Sequence, residues 1–154
     1  MQQLKGSLTV WLVGMLATTA VHSYDIDQHA WRDRLLILAA PERQHPTLTL
    51  QQQTVAARAA AIADRRLRVF VLAGGAGQLD GSPLSVDDVV FLRRTFAIEA
   101  NDTVMLLVGL DGQVKRRDAL DTALSELFIE VDAMPMRRAE IRAKRAAGET
   151  VTEP

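Results

Sequence analysis

Short apolar runs alternate with longer amphipathic stretches along most of the chain, and this alternation predicts an α/β fold. Strands are expected at residues 34–40, 67–72, 103–109 and 113–117. The first three are continuous apolar runs, which are typical of strands covered on both faces. Asp111 and Gly112 provide a tight turn between the last two strands, so these two are expected to form an antiparallel hairpin.

Amphipathic stretches predict three helices, at residues 47–66, 85–97 and 121–134. Thr47 or Thr49 is expected to cap the first helix, and Ser85 with Asp88 forms a variant of the capping box at the second. Residues 73–83 are rich in glycine and predict a loop. The order is β-α-β-α-β-β-α, which predicts a thioredoxin-like fold with a central four-stranded mixed sheet and helices on both faces.

The amino-terminal residues have the pattern of an export signal. Residues 8–21 are apolar or small, and Lys5 is the only charged residue before Asp25. The stretch has the length of a signal-peptide core and is shorter than the roughly 18 to 20 residues of a membrane span. An uncleaved amino-terminal anchor and a buried core helix remain as alternatives, and membrane contact is expected only through this segment if it is uncleaved.

Val21 and Ser23 suit the −3 and −1 positions of a cleavage site, and a cut after Ala20 is the alternative. The expected organisation is a signal peptide at residues 1–23, a thioredoxin-like domain at 24–145 and a flexible polar tail at 146–154. The mature protein is therefore expected in the periplasm or outside the cell.

Composition removes several classes of chemistry. The 154 residues are 48 % hydrophobic and 24 % charged, and they include no cysteine. The chain therefore has no disulfide, no thiolate nucleophile and no cysteine-based metal site. Its net charge of −1 gives no electrostatic reason to bind nucleic acid. His29 and His45 are too few for a metal site by themselves, so no metal or other cofactor is expected.

Three stretches give the chain a resemblance to a known family. They are W-R-D-R-L-L-I-L-A-A-P from Trp31, L-L-V-G-L-D-G-Q-V-K-R-R from Leu106 and V-D-A-M-P-M-R-R-A-E-I-R from Val131. On these stretches the chain resembles the domain of unknown function 4174 family. The resemblance implies a thioredoxin- and peroxiredoxin-like fold in an exported protein, and it implies no particular reaction.

The sequence departs from redox-active thioredoxins at both of their functional loops. Residues 40–45, which follow the first strand, contain no sulfur, and Asn101-Asp102-Thr103 stands where those proteins place a cis-proline. Thiol–disulfide exchange requires a thiolate. Neither disulfide reductase nor peroxidase activity is therefore expected by the thiol route.

Two functions remain open. The first is a non-redox module that binds a protein or a small ligand, with no catalytic, cofactor-binding or metal-binding residue assigned. The alternative is an enzyme that uses the non-thiol groups of Glu42, Arg43, His45 and Asp102.

The glycine motif Gly75-Ala76-Gly77 does not indicate a dinucleotide site. It lacks the helix start that such a site needs, and it predicts a flexible surface loop.

The last part of the chain predicts a corner, which is a sharp change of direction between two helices. Met134 continues the apolar face of the preceding helix, so it is expected to pack on the core, with Met136 as a second candidate. Pro135 stops that helix and can begin a new one. Arg137 and Arg138 are expected near the surface. The cluster at residues 32–34 is likewise expected to form surface ion pairs, and the basic residues that follow Arg138 are expected to form a solvated helix end.

The export signal gives the first testable prediction. Protein recovered from its native host should begin at or near Tyr24, because Ser23 satisfies the small-residue requirement of the signal peptidase. Amino-terminal sequencing with intact-mass measurement checks this. An intact chain that keeps Met1 and is spread through the cytoplasm would contradict it.

Overall fold

The computed structural model describes residues 24–154. The predicted signal peptide, residues 1–23, and both predicted cleavage positions lie outside the described residues. Export therefore stays a prediction. Among the helices of residues 24–154, none combines the length and the hydrophobicity that a membrane crossing requires.

In the described part of the chain, six strands form one mixed sheet. They are β1 (Arg34–Ala40), β2 (Leu67–Ala73), β3 (Ala76–Leu79), β4 (Ser82–Pro83), β5 (Val104–Val108) and β6 (Val114–Ala119). Their order across the sheet is β4-β3-β2-β1-β5-β6. Strands β1 and β2 are parallel, β5 is antiparallel to β1, and β6 is antiparallel to β5. The arrangement β2-β1-β5-β6 confirms the predicted thioredoxin-like α/β fold.

The predicted count of four strands is too low, because the stretch predicted as a loop forms β3 and β4. Asp80 and Gly81 adopt positive φ values of 48° and 85° and make the two-residue turn between these strands. Gly77 allows strand β3 to approach a helix closely. A Cβ atom at Gly77 would lie 2.6 Å from Cγ2 of Val89. Asp80 also accepts a hydrogen bond from the backbone N–H of Val69 at 2.8 Å.

Within residues 24–154, five α-helices and one short 3-10 helix complete the fold. They are α1 (Pro46–Ala57), α2 (Ala59–Asp64), α3 (Val86–Thr95), α4 (Leu124–Ala133) and α5 (Pro135–Ala146), with the 3-10 helix at Ile26–His29. The single helix predicted for residues 47–66 is interrupted at Arg58. Neither Thr47 nor Thr49 caps it, because His45 is the N-cap and Pro46 occupies the first turn. The capping box of Ser85 and Asp88 is confirmed.

Helices cover both faces of the sheet, as predicted, and β1 is buried on both sides. Leu36 and Leu38 face the layer of α1, α2 and α4. Leu35 and Ile37 face the layer of α3 and the amino-terminal segment. The predicted sheet residues Leu36, Ile37, Val69, Val71, Leu106 and Leu107 all lie in strands. Leu and Ile side chains in such positions each contribute roughly 2 kcal/mol through burial.

Three arginines are completely buried: Arg34, Arg65 and Arg137 each have 0 % exposure. The predictions that Arg34 and Arg137 lie at the surface are therefore wrong, whereas Arg138 is exposed as predicted. Each buried guanidinium pairs with one or more of Asp64, Asp132 and Glu140. We call these three arginines and three acids the arginine network.

Arg137 pairs with all three acids of the arginine network. Its Nη2 donates to Oδ2 of Asp64 at 2.5 Å, and its Nε donates to Oδ1 of Asp132 at 3.0 Å. Its Nη1 donates to the backbone oxygen of Asp64 at 2.7 Å. These bonds join the start of α5 to the ends of α2 and α4.

Arg65 and Arg34 extend the network to the amino ends of the two parallel strands. Nη2 of Arg65 donates to Oδ2 of Asp132 at 2.5 Å, and its guanidinium lies 4.5 Å from the ring centroid of Phe128. Nη2 of Arg34 donates to Oε1 of Glu140 at 3.1 Å, and its Nη1 donates to the backbone oxygen of Arg65 at 3.0 Å. The strand ends and helix α5 are thereby fixed to each other.

Two acids of the network, Asp64 and Glu140, are held in their charged form. Burial by itself would raise the pKa of Asp64, but hydrogen bonds from Lys144, Arg137 and Thr152 outweigh burial and hold that pKa well below its ordinary value. Burial opposes ionisation of Glu140 in the same way, and its pairing with Arg34 and Arg66 lowers its pKa overall. A buried charge is tolerated only when it is paired in this manner.

The segment that was expected to form a flexible polar tail returns to the network. The backbone N–H and the hydroxyl of Thr152 both donate to Oδ2 of Asp64, at 3.3 and 3.0 Å. Arg65 donates to the hydroxyl oxygen and the backbone oxygen of Thr152, at 3.1 and 3.2 Å. Residues beyond α5 therefore contact the domain.

The α4–α5 corner is built as the sequence predicts. Met134 separates the two helices in an extended conformation, with φ −64° and ψ 140°, which suits a residue before proline. Its side chain packs on the core, which confirms that prediction, and Met136 is exposed. Pro135 begins α5, where its missing N–H costs no hydrogen bond.

Neighbouring arginines provide a matched test of the network. Arg137→Ala should lower the free energy of unfolding by roughly 3 to 5 kcal/mol, because it removes a buried partner from both Asp64 and Asp132. Arg138→Ala, one residue away and exposed, should change it by less than about 0.5 kcal/mol. Urea denaturation measures both values. Similar small effects in the two variants would contradict the structural role of Arg137.

Candidate functional site

The loop between β1 and α1 carries three of the four residues proposed for the enzyme alternative. Glu42 and Arg43 are exposed, and His45 is half-buried at the start of α1. The Nδ1 atom of His45 is buried and has no hydrogen-bond partner within residues 24–154. The loop follows β1, and Arg43 lies beside the end of the parallel strand β2 at Ala73.

Asp102, the fourth residue of that alternative, has other partners. Its Oδ2 accepts a hydrogen bond from the backbone N–H of Glu99 at 2.9 Å and another from Nη2 of Arg117 at 2.8 Å. No hydrogen bond or ion pair within the described part of the chain joins Asp102 to Glu42, Arg43 or His45. The four residues do not form the hydrogen-bonded cluster that general acid–base catalysis uses.

Arg93 is a further charged residue at this end of the sheet, and no sequence motif points to it. Its Nη1 donates to the backbone oxygen of Glu99 at 2.8 Å, and its Nη2 donates to those of Gly74 and Ala40, at 3.3 and 3.5 Å. Burial lowers the pKa of Arg93, and the nearby charge of Asp102 opposes this shift. Arg93 therefore ties α3 to the carboxyl ends of β1 and β2. Its position on the last turn of α3 was visible in the sequence, but the backbone oxygens that it binds were not.

An open groove of about 680 Å³ runs along one face of β2, beside α1 and α2. The strand contributes Leu67, Val69 and Val71 to its apolar lining. The helices contribute Val55, Ile62 and three small residues, Ala56, Ala59 and Ala63. Because these alanines have no side chain beyond Cβ, the helices leave room beside this part of the sheet, where Leu67 and Val69 are buried and Val71 is half-buried.

The groove continues toward the β1–α1 loop. A smaller cavity of about 100 Å³ shares Gln52, Val71 and Gln78 with it and reaches Arg43. Together they follow β2 from Leu67 to Ala73, which is about 20 Å at 3.3 Å per residue. We call this continuous surface the β2 groove.

Polar groups are distributed unequally along the β2 groove. At the amino end of β2, Arg68 pairs with Asp80 at 2.6 Å, and Arg66 pairs with Glu140 at 2.6 Å. At the carboxyl end, Arg43 makes no ion pair within residues 24–154. The side chains of Gln52 and Gln78 make no hydrogen bond within the same residues. Uncommitted donors and one positive charge are therefore concentrated at the carboxyl end.

A hydroxyl–imidazole–carboxylate chain lies on the opposite face of the sheet. The hydroxyl of Tyr24 lies 2.5 Å from Nε2 of His29, and Nδ1 of His29 lies 2.9 Å from Oδ2 of Asp33. The carboxylate of Asp33 accepts from Nδ1–H, which leaves Nε2 to accept from the phenol. Phe70 packs edge-on against both rings, at centroid distances of 5.7 and 6.1 Å.

The order of atoms in this chain is that of a hydrolase triad, but the phenol is not activated. Burial raises the pKa of Tyr24 to about 12, so its hydroxyl stays protonated near neutral pH. The arrangement binds the amino-terminal segment to the sheet through Tyr24, His29 and Phe70. We assign it a structural role, which the sequence did not reveal.

Two further sequence interpretations can be placed in the structure. Gly75 lies in the turn between β2 and β3, and β3 rather than a helix begins at Ala76. This arrangement does not provide the helix N-terminus of a dinucleotide site. Residues 24–154 contain no group of three or more histidine, aspartate or glutamate side chains arranged to hold a metal ion.

Comparison with known proteins gives the family of the chain. The chain is similar to the mitochondrial 2-Cys peroxiredoxin from Plasmodium falciparum, with a TM-score of 0.43, 9 % sequence identity and coverage of 84 % of this chain and 87 % of that one. No curated protein matches the chain significantly. Residues 25–140 match the family model described as a domain of unknown function, DUF4174. This match covers most of the chain and includes the whole sheet, so the protein belongs to the DUF4174 family.

Proposed function

We propose that this protein is an exported, non-redox binding module that holds a small amphiphilic molecule in the β2 groove. The single observation that carries the proposal is the form of the groove. It is long, its lining is apolar, and its uncommitted polar groups lie at one end. Ligand sites are commonly concave, mostly apolar and provided with a few orienting polar groups.

The apolar part of the ligand is expected to lie over Val69 and Val71 against α1 and α2. This part of the groove has few polar partners to offer, since its charged residues are already paired with each other or with the arginine network. A hydrocarbon chain gains stability there in proportion to the apolar area it buries. A strongly polar ligand would gain little in the same position.

The polar end of the ligand is expected at the carboxyl end of β2. Arg43 supplies an exposed guanidinium, and the amides of Gln52 and Gln78 supply donors and acceptors nearby. A carboxylate is the simplest group that uses both a positive charge and hydrogen-bond donors. The ligand class is thus a single-chain anionic amphiphile of fatty-acid type.

The other features of the chain agree with binding rather than with thiol chemistry. The sequence contains no cysteine, so the thiolate on which redox-active thioredoxins depend is missing. The enzyme alternative receives no support from Asp102, because its hydrogen bonds go to Glu99 and Arg117 and not to the β1–α1 loop. The apolar stretch at residues 8–21 supports export to the periplasm or to the outside of the cell.

Tetradecanoate, used below its micelle concentration, is a suitable probe for the β2 groove. The chain is expected to bind it with one site per chain by isothermal titration calorimetry. Ala59→Phe places a ring in the groove and should weaken binding at least tenfold, about 1.4 kcal/mol. Arg43→Gln removes the charge at the polar end and should weaken binding of the acid but not of the uncharged tetradecanol.

Ala60→Phe is the matched control, because Ala60 is the next residue of α2, is exposed, and does not line the groove. It should bind tetradecanoate as the parent chain does. Equal binding by the Ala59→Phe and Ala60→Phe chains would place the ligand elsewhere. No binding by the folded parent chain would remove the proposed ligand class.

A further inference from the structure

Trp31 combines two unusual properties. Its side chain is 69 % exposed, although it is the largest apolar side chain of the domain. Its backbone has a φ of 61°, in the left-handed region that non-glycine residues rarely adopt. A bulky residue in this conformation is strained, and such strain is concentrated at functional positions.

Backbone hydrogen bonds fix this conformation. The N–H of Trp31 donates to the backbone oxygen of Leu110 at 2.6 Å, and the N–H groups of Arg32 and Asp33 donate to that of His29, at 3.0 and 2.9 Å. The turn needs left-handed geometry at this position, which glycine would supply without strain. The indole is not needed for the turn, and it gains little from burial in the domain. We therefore expect the indole to contact another molecule.

A small apolar cavity lies directly beside the indole. It has a volume of about 190 Å³, and its walls include Leu110, Met134, Pro135 and Met136 as well as Trp31 itself. This volume corresponds to about six water molecules, which is enough for one aromatic side chain. Methionine walls adapt readily to an aromatic ring.

The floor and the rim of the cavity carry charges that are already balanced. Arg34 reaches the cavity from the arginine network, where Glu140 neutralises it. At the rim, Lys115 pairs with Asp111 at 2.6 Å, and both side chains are 36 % exposed. The rim therefore presents one positive and one negative charge, rather than a surplus of either sign.

We propose that this surface binds a second copy of the same chain across a two-fold axis. Trp31 of each copy enters the cavity of the other, since the same surface carries both a protruding indole and an apolar cavity. Contacts across a two-fold axis are reciprocal: where one residue of the first copy meets another residue of the second, the same pair also meets with the copies exchanged. Asp111 of one copy then faces Lys115 of the other, and the reverse, so the opposite charges make the surface complementary to itself.

This contact lies apart from the β2 groove and does not depend on the proposed ligand. Trp31 and the cavity are at the end of the sheet where β1 begins, next to the α4–α5 corner. Three stretches of the chain that are far apart in sequence meet there, around Trp31, Leu110 and Met134. These are the stretches on which the family resemblance of the sequence rests.

Sedimentation velocity of the full chain tests the proposal. Over concentrations from about 1 μM to about 300 μM, the weight-average mass should rise toward that of a dimer, since interfaces of moderate size span this range of affinity. Trp31→Gly should weaken association at least tenfold. Its melting temperature should not fall, because glycine removes the left-handed strain.

Val86→Ala is the control for loss of an exposed apolar side chain, because Val86 is 67 % exposed and lies outside the cavity. It should associate as the parent chain does. A Trp11→Phe chain leaves Trp31 as the only tryptophan, and its emission should shift to shorter wavelength as the dimer forms.

Several results would overturn the proposal. A parent chain that stays monomeric up to the highest concentration has no such contact. A Trp31→Gly dimer of unchanged affinity would place the interface elsewhere. A Trp31→Gly chain with a much lower melting temperature would show that the indole serves the fold instead.

Discussion

Three guanidinium groups, those of Arg34, Arg65 and Arg137, are removed from water at the end of the sheet where both parallel strands begin. A buried charge without a partner costs several kcal/mol, so each of these groups requires a carboxylate in a fixed position. Asp64, Asp132 and Glu140 supply these carboxylates from the ends of α2 and α4 and from α5. The requirement joins elements that the hydrophobic core alone would leave free to shift, and it fixes α5 to the domain although α5 contributes little apolar surface.

Because the arginine network lies at one end of the sheet, the two ends of the domain differ in how their charges are paired. At the amino ends of β1 and β2, charges are paired, and the α4–α5 corner is held in place, so that Met134 and Pro135 are presented beside Trp31. At the carboxyl ends, the β1–α1 loop carries Arg43 without an ion pair within residues 24–154, and the β2 groove opens toward it. The proposed dimer contact thus lies at one end of the sheet, and the polar end of the proposed ligand site lies at the other. A ligand in the groove need not disturb the contact at Trp31.

The sequence pattern predicted correctly those features that depend on residues close together in the chain. The run at residues 34–40 coincides with β1, Ser85 and Asp88 form the predicted capping box, and Met134 packs as its helical spacing indicated. The burial of Arg34 and Arg137 was not predictable in this way, because it depends on distant partners: Glu140 lies 106 residues from Arg34, and Asp64 lies 73 residues from Arg137. The hairpin of β3 and β4 was missed because glycine-rich composition outweighed the turn signal of Asp80-Gly81. The groove and the strained backbone of Trp31 depend on tertiary packing, which periodicity does not report.

The acid dependence of stability tests the network most directly. Asp64 and Glu140 have folded-state pKa values below the ordinary values of 3.8 and 4.5. Their contribution to stability is therefore complete above those values and is lost as the pH falls through and below them. We expect the free energy of unfolding, measured by urea denaturation from about pH 6 to about pH 2, to fall by about 1.4 kcal/mol per pH unit for each group that must take up a proton. Asp64→Asn should begin from a lower free energy of unfolding and show a shallower fall. A parent chain whose stability is constant over this range, or an Asp64→Asn chain whose stability falls in parallel with it, would contradict the account.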